Sequence, residues 1–565
     1  MKILLIIIFF SLCQASIAAE PADSLAYWKK LLHFGADGSR VVSKEFFLTS
    51  EGDHDALAEL NKTVEVLNNP GGQQVACAFP ARYRWLRKRI KTVPLFDMKA
   101  CAELNRFKSD LQMQTISLVF ASEYLDNPVS SFGHTMLVFH DKDKALMSAD
   151  VVHFAAKTDS QDGFVKYTWK GLTGGYPGYF TRDPFFKKQQ QYNIIEQRYI
   201  HLYTLNFTAD QIENIVDHLF ELQKARFKYY FINENCAYQI GNLLDVGTDE
   251  IGFSESGFVL PIEVIKKQKD RIKSYRVLYP AAVTVRQLVS GMTEIEEDQF
   301  AQILAGSAAP VNTLSDRVKQ ALVVYYEYHF RKNHISSPNY TDVMQLRYQP
   351  VMLDIPAPQP LQQQNASRMV ISHVSQAHQE RLRIAYRPFL HDLFDIQMQE
   401  QPDFELSLFS PVVQLTDEVV SLYAFDLFEM KSLPERSRFF NPLSWQFYTG
   451  LNRNNPDEEL DFETEFGLGL TYRLGIVMFN GSLNIGVDLS EGDYYYKPNA
   501  SLLLRLGDRL KIGIDASEKY YQDDHYIERN VFASFGFDQN ALHVQYKTTS
   551  ASDEPILEAA WFHYF

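Results

Sequence analysis

Apolar and polar residues alternate with a period of two over much of the last two hundred positions of the chain. Phe466, Leu468, Leu470 and Tyr472 mark one such run, and Val531, Ala533, Phe535 and Phe537 another. Leu542, Val544 and Tyr546 form a third, and the final segment repeats the pattern at Leu557, Ala559, Trp561, His563 and Phe565. This alternation sends successive side chains to opposite faces of a strand. About twelve runs of roughly 8–13 residues fill residues 366–565, separated by turns such as Glu491-Gly492-Asp493 and Asp538-Gln539-Asn540. Short strands at even spacing make either a soluble sandwich or a closed barrel.

Earlier in the chain the pattern is mixed. Thr115 to Phe120 reads as a strand, and so does Thr135 to Phe139. A charged turn, Asp141-Lys142-Asp143-Lys144, then predicts a hairpin with a return strand from Val151 to Ala156. Between Asp210 and Lys224 the apolar positions Ile212, Ile215, Val216, Leu219, Phe220 and Leu222 follow helical spacing. Residues 20–105 read as helical and aromatic-rich, and 276–335 as mostly helical, including Leu314 to Phe330. A spacer follows, with Pro350, Pro356, Pro358 and Pro360 ahead of Gln362-Gln363-Gln364.

Composition narrows the class. Of 565 residues 46% are hydrophobic and 22% charged, so the chain is globular rather than disordered. The 55 Lys and Arg against 70 Asp and Glu leave a formal charge of −15, which argues against nucleic acid as a partner. Lys2, an apolar run from Ile3 to Leu12 and small residues through Ala19 read as a secretory signal peptide, too short for a membrane anchor. Leu12 ahead of Cys13 departs from a lipid-attachment box. Export to an oxidising compartment favours pairing Cys77 with Cys101 and leaves Cys236 as a free thiol. Export and a closing aromatic strand at Phe565 also favour the barrel over the sandwich, in the outer membrane of a bacterium. The expected order is signal peptide 1–19, helical domain 20–105, a mixed α+β domain 106–275, helical connector and linker 276–365, and an antiparallel barrel of about twelve strands over 366–565.

The candidate chemistry lies in the mixed domain. Cys236 precedes a helical signal, Tyr238 to Leu244, with Asn235 as N-cap, and His134 opens a strand. A thiol at a helix N-terminus beside an imidazole has a lowered pKa, which predicts a populated nucleophilic thiolate. With the hairpin turn centred near residue 143, position 134 faces roughly 152, so either His153 or Asp150 is placed to orient His134. The Cys236 backbone N–H is an oxyanion donor candidate. The same residues also permit a buried inert cysteine, or a zinc set of His134, His153 and Cys236, although no Cys-x-x-Cys pair supports a metal. The Gly171–Gly178 stretch lacks a phosphate-loop lysine and reads as a flexible loop over the cleft. Arg82, Arg84, Arg87, Lys88, Arg89 and Lys91 read as a solvated helix face, or as a contact for lipid phosphates.

Four blocks add a family reading. Pro128-Val129-Ser130-Ser131-Phe132-Gly133-His134-Thr135, Gly171-Leu172-Thr173-Gly174-Gly175-Tyr176, Glu196-Gln197-Arg198-Tyr199 and Asn235-Cys236 resemble the Lnb-type N-terminal periplasmic domain, named for a bacterial lipoprotein N-acyltransferase. The resemblance implies a circularly permuted papain-like fold with Cys236 as nucleophile and His134 as base, supported by Asn235 and Ser131, and no cofactor. It implies acyl chemistry on a phospholipid or lipoprotein beside outer-membrane lipids. The C-terminal barrel departs from the founding acyltransferase and leaves the acceptor open. A cell-wall peptidase or amidase with the same dyad, and a non-enzymatic envelope assembly protein, are the competing readings.

Overall fold

A computed structural model describes residues 22–565 apart from 112, 126–130, 142–144, 160, 249–258, 308–312, 334–338, 354, 356–359, 389–390, 396–402, 417–418, 454–458, 523–524 and 551. The expected signal peptide, Pro128 to Ser130, most of the charged hairpin turn, and Pro356 and Pro358 lie outside the described residues. The chain forms two compact units, the first built mainly from residues before 282 and the second mainly from those after it.

The first unit is organised by one seven-stranded sheet. Its strands are β1 (Thr115–Ala121), β2 (His134–His140), β3 (Asp150–Ala156), β4 (Tyr176–Pro184), β5 (Ile200–Leu205), β6 (Phe227–Tyr229) and β7 (Ile272–Leu278). They lie in the order β6-β4-β3-β2-β1-β5-β7, every neighbouring pair antiparallel. β1 is buried along its whole length, as its apolar run requires. The helix Ala209–Leu222 starts in a capping box between Thr208 and Gln211 and buries Ile212, Ile215, Val216, Leu219 and Leu222.

Two local expectations are corrected. Gly171 lies within the helix Phe164–Thr173 and Gly178 within β4, so no loop spans that stretch. A Cβ on Gly171 would come within 2.1 Å of the Phe231 ring, which explains a glycine inside this helix. Three cations of the basic run are paired with carboxylates, while Lys88, Arg89 and Lys91 keep the exposure expected of a solvated face. Arg84 pairs with Glu213 and Asp217, Lys88 pairs with Asp210, and Arg82 is buried between Glu59 and Glu221. Opposing carboxylates thus occupy much of the charge that a lipid phosphate would need.

Cys77 and Cys101 are disulfide-bonded, closing a loop with a sequence separation of 24, and Cys236 is free and buried. Cys77→Ser with Cys101→Ser is expected to cost about 3 kcal/mol on the chain-entropy scale, seen as a lower thermal midpoint of the first unit. No change in midpoint would show that the loop is held by its other contacts.

In the second unit the helices Glu294–Leu304 and Asp316–Asn333 bury Phe300, Ile303, Val318 and Leu322 in one cluster with Phe440. The barrel runs from β8 (Arg368–Gln376) and β9 (Gln379–Arg387) through β10 (Asp403–Leu415) to β19 (Ser552–Tyr564). It holds twelve antiparallel strands and closes by pairing β8 with β19. Phe466, Leu468, Leu470, Tyr472, Val531, Phe535, Leu542, Val544 and Trp561 are exposed on its outer face, whereas Glu463, Glu465, Asn480, Asn484, Arg505 and Lys511 are buried. An apolar exterior around a polar interior, with no free sheet edge, is the arrangement a lipid bilayer demands of strands. The protein should therefore migrate faster unheated than boiled on a detergent gel, and equal mobilities would argue against a closed barrel.

Candidate active site

Cys236 is the first residue of the helix Cys236–Asp245. Asn235 caps it, its side-chain oxygen accepting from the N–H groups of Ala237 at 2.9 Å and Tyr238 at 3.2 Å. The Asn235 amide donates in turn to the Val259 carbonyl at 3.1 Å, which ties the helix start to the segment ahead of Pro261. The Thr135 N–H, next to His134, donates to the Cys236 sulfur. The Cys236 N–H donates to the Tyr229 hydroxyl, so the expected oxyanion donor already has a partner that can join it.

His134 begins β2 directly after Gly133, whose φ is +83°. A Cβ at Gly133 would sit 2.5 Å from Phe120, so only glycine admits this entry into the strand. The β2–β3 register pairs Met136 with His153 and Phe139 with Asp150. His153 is therefore a diagonal neighbour of His134 on the same face, their ring centroids 6.0 Å apart. Asp150 falls on the opposite face and pairs with Arg182 at 2.9 Å, which removes it as an orienter of His134. Ser131 is buried three residues before His134.

Side chains from other elements complete the surroundings of His134 and His153. His153 Nε2 lies 3.0 Å from Asp183 Oδ2 and 3.0 Å from the Thr181 hydroxyl, and Lys188 reaches the same Asp183 oxygen at 3.2 Å. The segment Gln190–Ile195 winds as a π-helix and sets the Tyr192 ring 5.8 Å from His134. Such one-turn distortions cluster at functional sites. The Arg198 guanidinium lies 4.6 Å over Tyr192, donating to the Ala121 carbonyl at 2.9 Å and to Glu196 Oε2 at 2.9 Å. Antiparallel strand arithmetic has no means of finding Asp183, Tyr192 or Arg198, because a separate strand and a helical turn bring them in. Arg198 was visible only as part of a family block.

Electrostatics correct the sequence expectation of a thiolate. Burial pushes the Cys236 thiol above its ordinary value, against the N–H groups of Thr135 and Ala237 and the charge of Arg198. Burial also holds His134 well below its ordinary value, helped by His153, Arg198 and Lys188. Thiol and imidazole are both neutral at rest, and His134 Nε2 is buried without a hydrogen-bond partner, the Cys236 sulfur included. Desolvation outweighs the helix terminus because Cys236 is almost wholly enclosed. Among the described residues no three His, Cys, Asp or Glu side chains are arranged to hold a metal ion.

His153 titrates at about 4, pushed down first by burial and then by Lys188. Its unfolded form takes up a proton near 6.5, so the folded state holds fewer protons between these values. Stability is therefore full above about pH 6.5 and is lost as pH falls toward 4, by about 3 kcal/mol for this group. His153→Gln should flatten that part of the thermal-midpoint profile, and an unchanged slope would assign the acid sensitivity elsewhere.

Residues 103–279 match the Lnb N-terminal periplasmic domain. The Lnb-type domain thus contains all the residues assembled here, from His134 to Cys236. Residues 23–89 and 357–564 match two further family models described as domains of unknown function, DUF7843 and DUF7840. No curated protein matches the chain. Solved structures similar to it include the KdgM porin, 11% identical over 35% of this chain and 99% of that one, with a TM-score of 0.25. The COG4313 outer membrane channel from Pseudomonas putida F1 is 12% identical over 36% and 96%, with a TM-score of 0.24. Omp33 of Acinetobacter baumannii is 9% identical over 36% and 100%, with a TM-score of 0.22.

Proposed function

We propose that the Lnb-type domain is a cysteine-dependent acyltransferase or thiol hydrolase, acting on acyl groups of phospholipids or lipoproteins through an acyl-Cys236 intermediate. The observation that carries the reading is the buried, unpartnered Nε2 of a neutral His134, next to the Thr135 N–H that touches the Cys236 sulfur. A neutral imidazole is the state a general base needs. In the first step the Cys236 proton passes to His134 and the sulfur attacks the acyl carbonyl carbon. Cys236 N–H and the Tyr229 hydroxyl receive the developing oxyanion. Collapse expels the donor oxygen, which takes the proton from His134. Water or an acceptor amine then attacks the thioester, giving its proton to His134, and the sulfur leaves with that proton.

His153, held by Asp183 and Thr181, is the positioning residue beside the His134 ring. An outer-membrane barrel in the same chain supports a lipid-borne donor, since it keeps the enzyme at an acyl-chain source. The test is intact-protein mass spectrometry after incubating the full chain with phospholipid vesicles. An acyl mass on the peptide bearing Cys236, absent in Cys236→Ala, supports the reading. A cysteine that stays unmodified with lipid but is captured by peptide substrates would favour the peptidase alternative.

A further inference from the structure

The barrel interior carries a site that the domain's chemistry does not use. Leu393, Phe394 and Asp395, in the connection between β9 and β10, fold back into the lumen. Asp395 accepts from Arg368 at 2.6 Å, from Arg387 at 2.6 Å and from the Tyr564 hydroxyl at 2.6 Å. Lys511 donates to the Leu393 carbonyl at 3.0 Å. Arg368, Arg387 and Tyr564 end their strands on the side where the chain enters and leaves the barrel. This segment therefore floors the lumen at that end.

Above the floor lies a cavity of about 330 Å³. Its wall carries six carboxylates, Glu405, Glu429, Glu463, Glu465, Asp515 and Glu528, and two lysines, Lys431 and Lys497. Four of the six have cationic partners. Lys431 is 3.7 Å from Glu405, Lys497 is 2.6 Å from Glu465, Lys519 is 2.5 Å from Glu463, and Lys547 is 2.8 Å from Glu528. Among the described residues Glu429 and Asp515 face the same space with no cation at ion-pair distance, and share only the longer-range field of Lys431, which is already 3.7 Å from Glu405. Carboxylates crowded together in a partly enclosed lumen need countercharge. A second observation points to a ligand. Asn484 is fully buried and lines the cavity, with both its amide oxygen and its amide nitrogen unpartnered. Asn530, also buried and lining it, has an unpartnered amide oxygen.

We infer that this cavity binds a linear organic polyamine, with ammonium groups on Glu429 and Asp515 and N–H groups donated to the amide oxygens of Asn484 and Asn530. The residue types decide between cations. The described residues hold no cluster fit for a metal ion, whereas separated carboxylates interleaved with amides match charges spaced along a chain. The volume is at the lower end for small-molecule sites, which suits a ligand of this size. The inference is independent of the role of Cys236.

The experiment is titration calorimetry of the full-length protein in detergent micelles at low ionic strength, with spermidine as the probe and magnesium chloride in a parallel series. Saturable spermidine binding is expected. Glu429→Gln and Asp515→Asn should each weaken it at least tenfold, and Asn484→Ala should weaken it with no change in cavity charge. Heat-modifiable migration of each variant shows that its barrel is intact. Absence of saturable binding overturns the proposal, as carboxylates neutralised by protons would produce. So does unchanged affinity in both carboxylate variants, or full competition by magnesium at equal concentration.

Discussion

Cys236→Ala is expected to abolish acyl-enzyme formation, and His134→Ala to slow it by about 10²–10⁴-fold, the usual contribution of a positioned general base. The two effects come from one geometry. His134 enters β2 through a glycine that no other residue can replace without meeting Phe120, and the next residue's N–H is on the sulfur. Because burial raises the thiol and lowers the imidazole, no ion pair stands ready in the resting protein. Iodoacetamide at pH 6.5 should accordingly react slowly with Cys236 in the wild type, the reverse of what a helix-terminal cysteine beside a histidine predicts from sequence. Tyr229→Phe removes the hydroxyl facing the Cys236 N–H and should lower turnover while leaving the cysteine content unchanged. Single-turnover acylation of the full chain, followed by mass spectrometry, reads all three variants. Equal acylation in wild type and His134→Ala would show that the two side chains do not exchange a proton.

Much of this arrangement was legible in the chain, and the boundary of legibility has a physical cause. Period-two alternation reveals which residues share a strand face, so Phe466, Leu468, Leu470 and Tyr472 share one face of their strand, and Leu557, Ala559, Trp561, His563 and Phe565 one face of theirs. Strand spacing alone leaves a sandwich open as well, and closure rests on the pairing of β8 with β19. Hairpin arithmetic brought His153 close to His134, yet its turn centre was off by more than a residue: the register pairs 136 with 153, where a centre at 143 predicts 134 facing 152. A one-residue slip reverses faces, so the arithmetic leaves Asp150 open beside His153, and the register separates them. The thiol's titration departs from the sequence expectation for a different reason. A helix terminus is visible in sequence, but the depth of burial that overrides it is a property of the packed domain. Arg82, Arg84 and Lys88 depart from a free solvated face for the same reason, because their acidic partners come from elsewhere in the chain, most of them on the helix Ala209–Leu222.

Arg82→Met should destabilise the first unit by about 3–5 kcal/mol, the cost of removing one partner from a buried ion cluster. Arg82, Glu59 and Glu221 are all fully enclosed, with Arg82 Nη1 3.3 Å from Glu59 and Nε 3.5 Å from Glu221. The guanidinium also lies 4.1 Å over the Phe46 ring and 4.4 Å over Phe79, so methionine keeps much of the packing while the charge is lost. Glu221 would retain the Ala81 and Arg82 N–H groups at 2.8 and 3.0 Å and His218 at 3.2 Å, but no full positive charge. Burial already pushes Glu221 up to about 7 with Arg82 in place. Without the cation it rises further, and the folded state then binds a proton that the unfolded state, titrating near 4.5, does not. Both proteins lose stability as pH rises from about 4.5 toward 7, but the variant goes on losing it above 7, so its deficit against wild type should be larger at pH 8 than at pH 5. Adding Glu221→Gln should recover part of the loss at pH 8, because a neutral amide of the same shape needs no counterion. Limited proteolysis of the full chain at both pH values measures the difference. A deficit that is the same at pH 5 and pH 8 would mean that Arg82 acts through its contacts with Phe46 and Phe79 and not through its charge.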